Sequence, residues 1–358
     1  MEQEQPARLT ESNHASKKQQ PLPSGGIAAN LRAVFISGGR LLRRYEEVLW
    51  WGLAFGVLLG LVAVADQTEV IIRDWREYYR PAALSGDYLN FRNNANPPYI
   101  ILLFQPLAAL SLNTGFAILG ILSLLGFRLV SHLSGVNKWL IFPSFPALWM
   151  LVYGQIDALV LLGVALGWWA IRNKRPYWQG AATLLLILKP HVGGLLALIY
   201  LAWQRDRRAV AVSGFFILAT LPFLGLWPLR WAEVLLSESD LAAAGAGKSS
   251  FFNEWNNISL YPYSLLLLPL LLVPYSRAQK IPAIVSACLL ASPYAGAYSL
   301  LSVMAVPLPL IIYPILSLPL FFGAGYDLII LAPLALVLYP PVAYLWQRYK
   351  EKTRPQNG

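Results

Sequence analysis

Beyond Arg44 the chain becomes a succession of apolar runs separated by short polar patches. No other feature narrows the possible folds as much. A helix needs about 20 mostly apolar residues to cross the hydrocarbon core of a bilayer. Inside that core every backbone N–H and C=O must be paired within its own segment, so such runs are helices. A membrane-spanning barrel would instead show short segments of weak alternation. The runs cover residues 48–65, 98–112, 116–133, 139–153, 156–171, 177–188, 192–203, 209–227, 258–275, 281–291, 298–322 and 328–346. Several are too short to span alone, and others contain prolines, among them Pro143, Pro146, Pro222, Pro269, Pro307, Pro309 and Pro333. The pattern predicts an all-α polytopic membrane protein with about 10 to 12 transmembrane or re-entrant helices, some of them kinked. Composition agrees: 57% of the 358 residues are hydrophobic and 13% charged, against about 25% charged in a soluble domain.

Three regions follow. Residues 1–47 read as a disordered basic cytoplasmic tail, most polar over its first 30 residues. No apolar stretch follows a short basic start, so this is not a signal peptide. Residues 48–346 form the membrane domain, and residues 347–358 a second cytoplasmic tail. Clusters at the N-terminal region, at Arg172/Lys174/Arg175, at Arg205/Arg207/Arg208, at Arg277/Lys280 and at the C-terminus hold 19 of the 28 basic residues. By the positive-inside rule these clusters face the cytoplasm, and with them both termini of a multi-pass protein of the cell membrane. The two long polar loops, 66–97 and 228–257, hold six basic and nine acidic residues and belong outside. The net charge of +10 then reflects cytoplasmic loops and anionic headgroups rather than nucleic acid. Cys288, the one cysteine, can form neither an intrachain disulfide nor a cysteine metal site. His14 and His132 fit no metal constellation, and no cofactor or metal is indicated.

The first outer loop carries the densest chemistry. Residues 73–84 read as an amphipathic helix lying along the membrane surface and stopping near Ser85-Gly86. Trp75, Tyr78 and Tyr79 suit the headgroup level. Asp74, flanked by Arg73 and Arg76, can be read as a general base placed where a lipid-borne substrate presents its headgroup. Spacing alone also fits, and more readily, a solvated helix face.

Other positions leave similar pairs of readings. Lys189 and His191 flank Pro190 between two apolar runs, either as contacts for a lipid phosphate or as interfacial residues at a helix break. Gln155 and Asp157 line a cavity or cap the helix that starts there. In the second outer loop Asn253, Glu254 and Trp255 suit a sugar acceptor or form an ordinary surface loop. The GAGKSS stretch before them is not a phosphate loop, because Ala242 stands where that motif needs glycine.

Taken in order, these residues resemble a known pattern. After one span come Asp74-Trp-Arg-Glu-Tyr78-Tyr79, Leu84-Ser-Gly86-Asp-Tyr88, Pro97-Pro98, Gln105-Pro106-Leu107, Gly154-Gln155-Ile156-Asp157 and Lys189-Pro190-His191, with Trp203-Gln-Arg205-Asp-Arg207-Arg208 closing the next run. The chain is similar to GT-C-type integral membrane glycosyltransferases, and to the bacterial polyprenol-phosphate-mannose-dependent mannosyltransferase-like family among them. Two departures stand out: Ser292-Pro293-Tyr294-Ala-Gly-Ala-Tyr298 lacks the histidines common after Ser-Pro, and Asp157 replaces an expected Asn. The resemblance implies an extracytoplasmic active site and a polyprenyl-phosphate-linked sugar donor. It implies a lipid or glycan acceptor, inversion at the anomeric carbon, and Asp74 as base, with no cofactor. Against it stands a transporter or lipid-linked-sugar flippase, which kinked spans and sparse buried charge would also suit.

Overall fold

The computed structural model describes residues 26–86, 96–233, 258–273, 277–292, 294–322 and 326–353. Two compact units divide the chain, residues 1–51 and 52–358. In the first unit the described residues belong to helix α1 (Gly26–Val64), so helix begins well inside the stretch expected to be a tail through residue 47. The second unit contains everything below.

The described residues are overwhelmingly helical and form an all-α membrane protein. After α1 comes a π-helical turn, Trp75–Tyr79, that runs directly into α2 (Arg80–Ser85). Then follow α3 (Ile100–Ala108), α4 (Leu112–Ser134), α5 (Lys138–Ile141), α6 (Phe145–Tyr153), α7 (Asp157–Arg172), α8 (Pro176–Ile187), α9 (Leu195–Gln204) and α10 (Arg207–Leu224). The C-terminal part holds α11 (Arg277–Leu290), α12 (Ile312–Phe322) and α13 (Leu331–Thr353), with 3-10 segments at Tyr263–Leu272, Ala297–Ala305 and Tyr326–Ile330.

Among the described residues, four helical stretches are long and apolar enough to cross a membrane: Tyr45–Gln67, Leu112–Ser134, Arg207–Leu224 and Leu328–Glu351. The other apolar runs fold as shorter pieces, and proline explains much of this. The expected run 298–322 splits into a 3-10 segment and α12, with Pro307 and Pro309 in the break, because proline offers no N–H to carry the ladder through. The run 192–203 is preceded by a π-helical turn, Pro190–Gly194, where Pro190 ends α8.

Local signals set the helix ends. Ser111 caps α4, its hydroxyl accepting from Thr114 N at 3.2 Å, and Gly135 closes that helix at φ +77°. Asp206 caps α10 by accepting from Arg208 N at 2.9 Å. The central helix is α7. It packs along α8 and α4 and against Ala297–Ala305, and it is buried on nearly every side, as expected for a helix that is apolar all round. Small residues allow the close approach: a β-carbon on Gly163 would stand 3.0 Å from Leu185 Cβ, and one on Gly180 of α8 would stand 2.6 Å from the Ala209 carbonyl oxygen of α10.

Candidate functional site

Helices α7, α8 and α9 form a short zigzag. The basic turns after α7 and α9 lie together, since the Arg208 guanidinium sits over the Tyr177 ring at 5.9 Å. At the opposite end of α7 and α8 lie Asp157 and Lys189, whose Nζ donates to Asp157 Oδ2 at 2.6 Å. The polar cluster and the basic turns therefore occupy opposite ends of the same three helices.

Two backbone features bring the segment that follows α1 onto this cluster. Gly154 ends α6 at φ +69°, and a β-carbon there would stand 2.9 Å from Trp75 Cβ. Only glycine lets the loop pack this closely while turning the chain in the left-handed region. Ile72 is buried at φ +56°, a conformation unusual for a β-branched residue. Its N–H donates to the Val152 carbonyl at 2.6 Å. That bond fixes the residue two positions before Asp74 to the last turn of α6. The indole N–H of Trp75 donates to the Leu112 carbonyl at 3.1 Å. Asp74 is thereby held over the α6–α7 turn.

The side chains form a continuous hydrogen-bonded chain. Asp74 Oδ2 accepts from Gln155 Nε2. Gln155 Oε1 accepts from Lys189 Nζ at 2.7 Å and from Tyr79 OH at 2.9 Å. Lys189 Nζ also lies 4.4 Å from the centre of the Tyr298 ring, a cation–π contact strengthened by burial. Asn96 Nδ2 donates to Tyr79 OH at 3.4 Å. Relative exposure is 9% for Asp74, 7% for Gln155, 3% for Lys189 and 1% for Asp157. Buried charges this close are tolerated because they are paired.

Asp74 is raised from its ordinary value to about 6. Burial is the largest cause, offset by the hydrogen bond from Gln155 and by the charges of Lys189 and Arg73. A carboxyl poised near neutrality is suited to accepting a proton from a hydroxyl. Its Oδ1 accepts no hydrogen bond from the described residues, and Asp157 Oδ1 is buried without a partner.

Of the residues singled out in the sequence, the structure brings Asp74, Tyr79, Gln155, Asp157 and Lys189 together. Asp157 is the first residue of α7 and its carboxylate pairs with Lys189, so it caps no backbone N–H. Arg73 turns instead to Glu77, with Nε donating to Oε2 at 3.1 Å on the exposed face. Arg76 is spent on backbone: it donates to the Thr68 carbonyl at 3.2 Å and to the Ala65 carbonyl. Tyr78 is half-buried on the same turn. His191 packs its ring 6.0 Å from that of Tyr294, beyond Lys189. Asn253, Glu254 and Trp255 lie outside the described residues, as do Tyr88 and residues 1–25 of the expected tail. Asn96 and Tyr298 join the cluster as well. Tyr298 lies in a stretch whose departure from the family pattern was visible; Asn96 gave no signal beyond standing before Pro97-Pro98. Among the described residues no group of three or more His, Cys, Asp or Glu could hold a metal ion.

Residues 94–261 match the family model for Glycosyltransferase family 87 (GT87). The matched stretch is just under half of the chain and includes Gln155, Asp157 and Lys189. It supports a membrane glycosyltransferase. No curated protein and no solved structure gives a match.

Proposed function

We propose that this protein is a membrane glycosyltransferase that moves a single sugar, mannose or a similar hexose, from a polyprenyl-phosphate donor to a lipid or glycan acceptor on the extracytoplasmic side. The observation that carries the reading is Asp74. It is a buried carboxyl poised near neutrality, with one oxygen held by Gln155 and the other unengaged by the described residues.

In the proposed reaction an acceptor hydroxyl oxygen attacks the anomeric carbon from the face opposite the phosphate. The new C–O bond forms as the bond to the phosphate oxygen breaks, and its electron pair leaves on polyprenyl phosphate. The hydroxyl proton passes to Asp74. Configuration inverts because one displacement occurs.

The leaving phosphate needs a cation. The exposed Arg73–Glu77 pair is the cheaper source. An exposed ion pair contributes about 0 to 1 kcal/mol, whereas stripping one partner from a buried pair such as Lys189–Asp157 costs several-fold more. Arg73 is therefore the proposed phosphate contact. Tyr78, half-buried on the same turn, offers an amphipathic ring to the sugar.

Helix length supports a site reachable by a lipid headgroup. Helices α7 and α8 have 16 and 12 residues, about 24 and 18 Å at 1.5 Å per residue. Both are shorter than the ~30 Å hydrocarbon core. With their basic ends at the cytoplasmic interface, the cluster sits recessed below the outer one.

The test is to incubate reconstituted protein, without any ion gradient, with radiolabelled polyprenyl-phosphate hexose and a membrane lipid extract. Appearance of a labelled glycoside and release of polyprenyl phosphate are expected. Movement of unaltered donor across the bilayer with no product would favour a flippase instead.

A further inference from the structure

Gln155 sits between Asp74 and Lys189, and its amide can face only one way. Lys189 carries protons to donate and no lone pair to accept with. Its Nζ lies 2.7 Å from one end of the amide, so that end must be the carbonyl oxygen. The Tyr79 hydroxyl, 2.9 Å from the same atom, agrees. The NH₂ is then forced toward Asp74, whose ionised carboxylate can only accept. Lys189 is itself fixed by Asp157 Oδ2 on one side and the Tyr298 ring on the other.

We propose that Gln155 is the positioning residue for Asp74, and that Lys189, anchored by Asp157, sets the orientation of its amide. The assignment rests on the reading of Asp74 as the proton acceptor and deepens it. Because Nε2 occupies Oδ2, the incoming proton is directed to Oδ1, which no described residue engages. Lys189 acts through Gln155 and through its charge, not by touching the donor phosphate.

Several groups face Asp74. Arg73 lies on its own segment, Gln155 and Asp157 come from the α6–α7 turn, and Lys189 comes from the α8–α9 turn with His191 beyond it. Tyr298 comes from the Ala297–Ala305 segment. Gln155 and Lys189 both favour the ionised carboxylate, and Asp157 opposes it. The arrangement therefore predicts a signed series that a merely structural role would not give.

The experiment measures kcat, donor KM and the acid limb of kcat/KM in reconstituted wild type, Gln155→Leu and Asp157→Asn. Gln155→Leu is expected to lower kcat by about ten- to a hundredfold, to leave donor KM within about twofold, and to move the acid limb to higher pH. Asp157→Asn, which keeps a carbonyl for Lys189, is expected to move the limb to lower pH. An unmoved limb and unchanged kcat in Gln155→Leu would overturn the proposal, as would a raised donor KM with kcat intact. If Gln155→Leu fails to fold, Asp157→Asn decides alone, and a limb that stays or rises overturns it. Inactivity of Asp74→Asn alongside an unaffected Gln155→Leu sinks this inference and leaves the proposed function standing. No turnover by wild type sinks the function itself.

Discussion

Asp74 illustrates how one residue can be costly to the fold and, in the proposed reaction, useful to the chemistry. Its carboxyl is buried, and its proton affinity is raised to about 6 mainly for that reason. Below about pH 3 the group is neutral in both folded and unfolded chains, and the folded state bears no penalty. Between about pH 4 and 6 the unfolded chain ionises while the folded one holds its proton, and by about pH 6 the folded state has lost up to about 3 kcal/mol. Asp74→Asn should therefore melt at a higher temperature than wild type at pH 7.5 and at the same temperature at about pH 3; a lower melting point at pH 7.5 would contradict this. The base must be ionised to act, so wild-type kcat/KM should fall tenfold per pH unit below about 6. Arg73→Ala should lower kcat several-fold and also raise donor KM, read in the same steady-state assay.

At this scale the sequence was partly legible. Asp74, Gln155, Asp157 and Lys189 were visible because ionisable or amide side chains beside apolar runs demand partners. Which partner each takes was not visible. Arg73 and Arg76 flank Asp74 in sequence, yet one turns to Glu77 and the other to backbone carbonyls. A helical spacing does not say which face meets the protein. Tyr298 lies 109 positions from Lys189 in the chain, and its ring comes to the lysine only through the packing of Ala297–Ala305 on α6 and α7.

Among the elements, the α6–α7 turn does most to build the site. Gly154 and Ile72 together hold the segment around Asp74 against it, one by lacking a side chain and the other by accepting an unusual backbone conformation. Left-handed backbone at a residue other than glycine costs about 1 to 3 kcal/mol. Gly154→Ala should destabilise by roughly that amount and displace Trp75, against which its methyl would press. The check is a lowered melting temperature together with at least tenfold lower transfer; normal stability and normal transfer would show that the close approach is not needed. Element positions followed the apolar runs well, because segment pairing in lipid leaves helices as the only open solution. Element continuity did not. Pro307 and Pro309 mark a break that the run 298–322 passes straight through, and what begins beyond it depends on tertiary packing.

For the molecule as a whole, the account requires sidedness. The basic turns after α7 and α9 share one end of the helices and the Asp74–Gln155–Lys189–Asp157 chain the other. Cys288 is buried, so introduced cysteines can be read against a silent background. Lys174→Cys should react with a membrane-impermeant maleimide only in inverted vesicles, and Glu69→Cys only in intact cells; the reverse pattern would place the cluster on the cytoplasmic side. Transfer of the acceptor's proton to Asp74 can be checked by comparing purified wild type and Asp74→Asn in liposomes supplied with radiolabelled polyprenyl-phosphate hexose and acceptor lipid. The expected result is labelled product from wild type and at least a hundredfold less from a folded Asp74→Asn, whereas full transfer by Asp74→Asn would contradict the account.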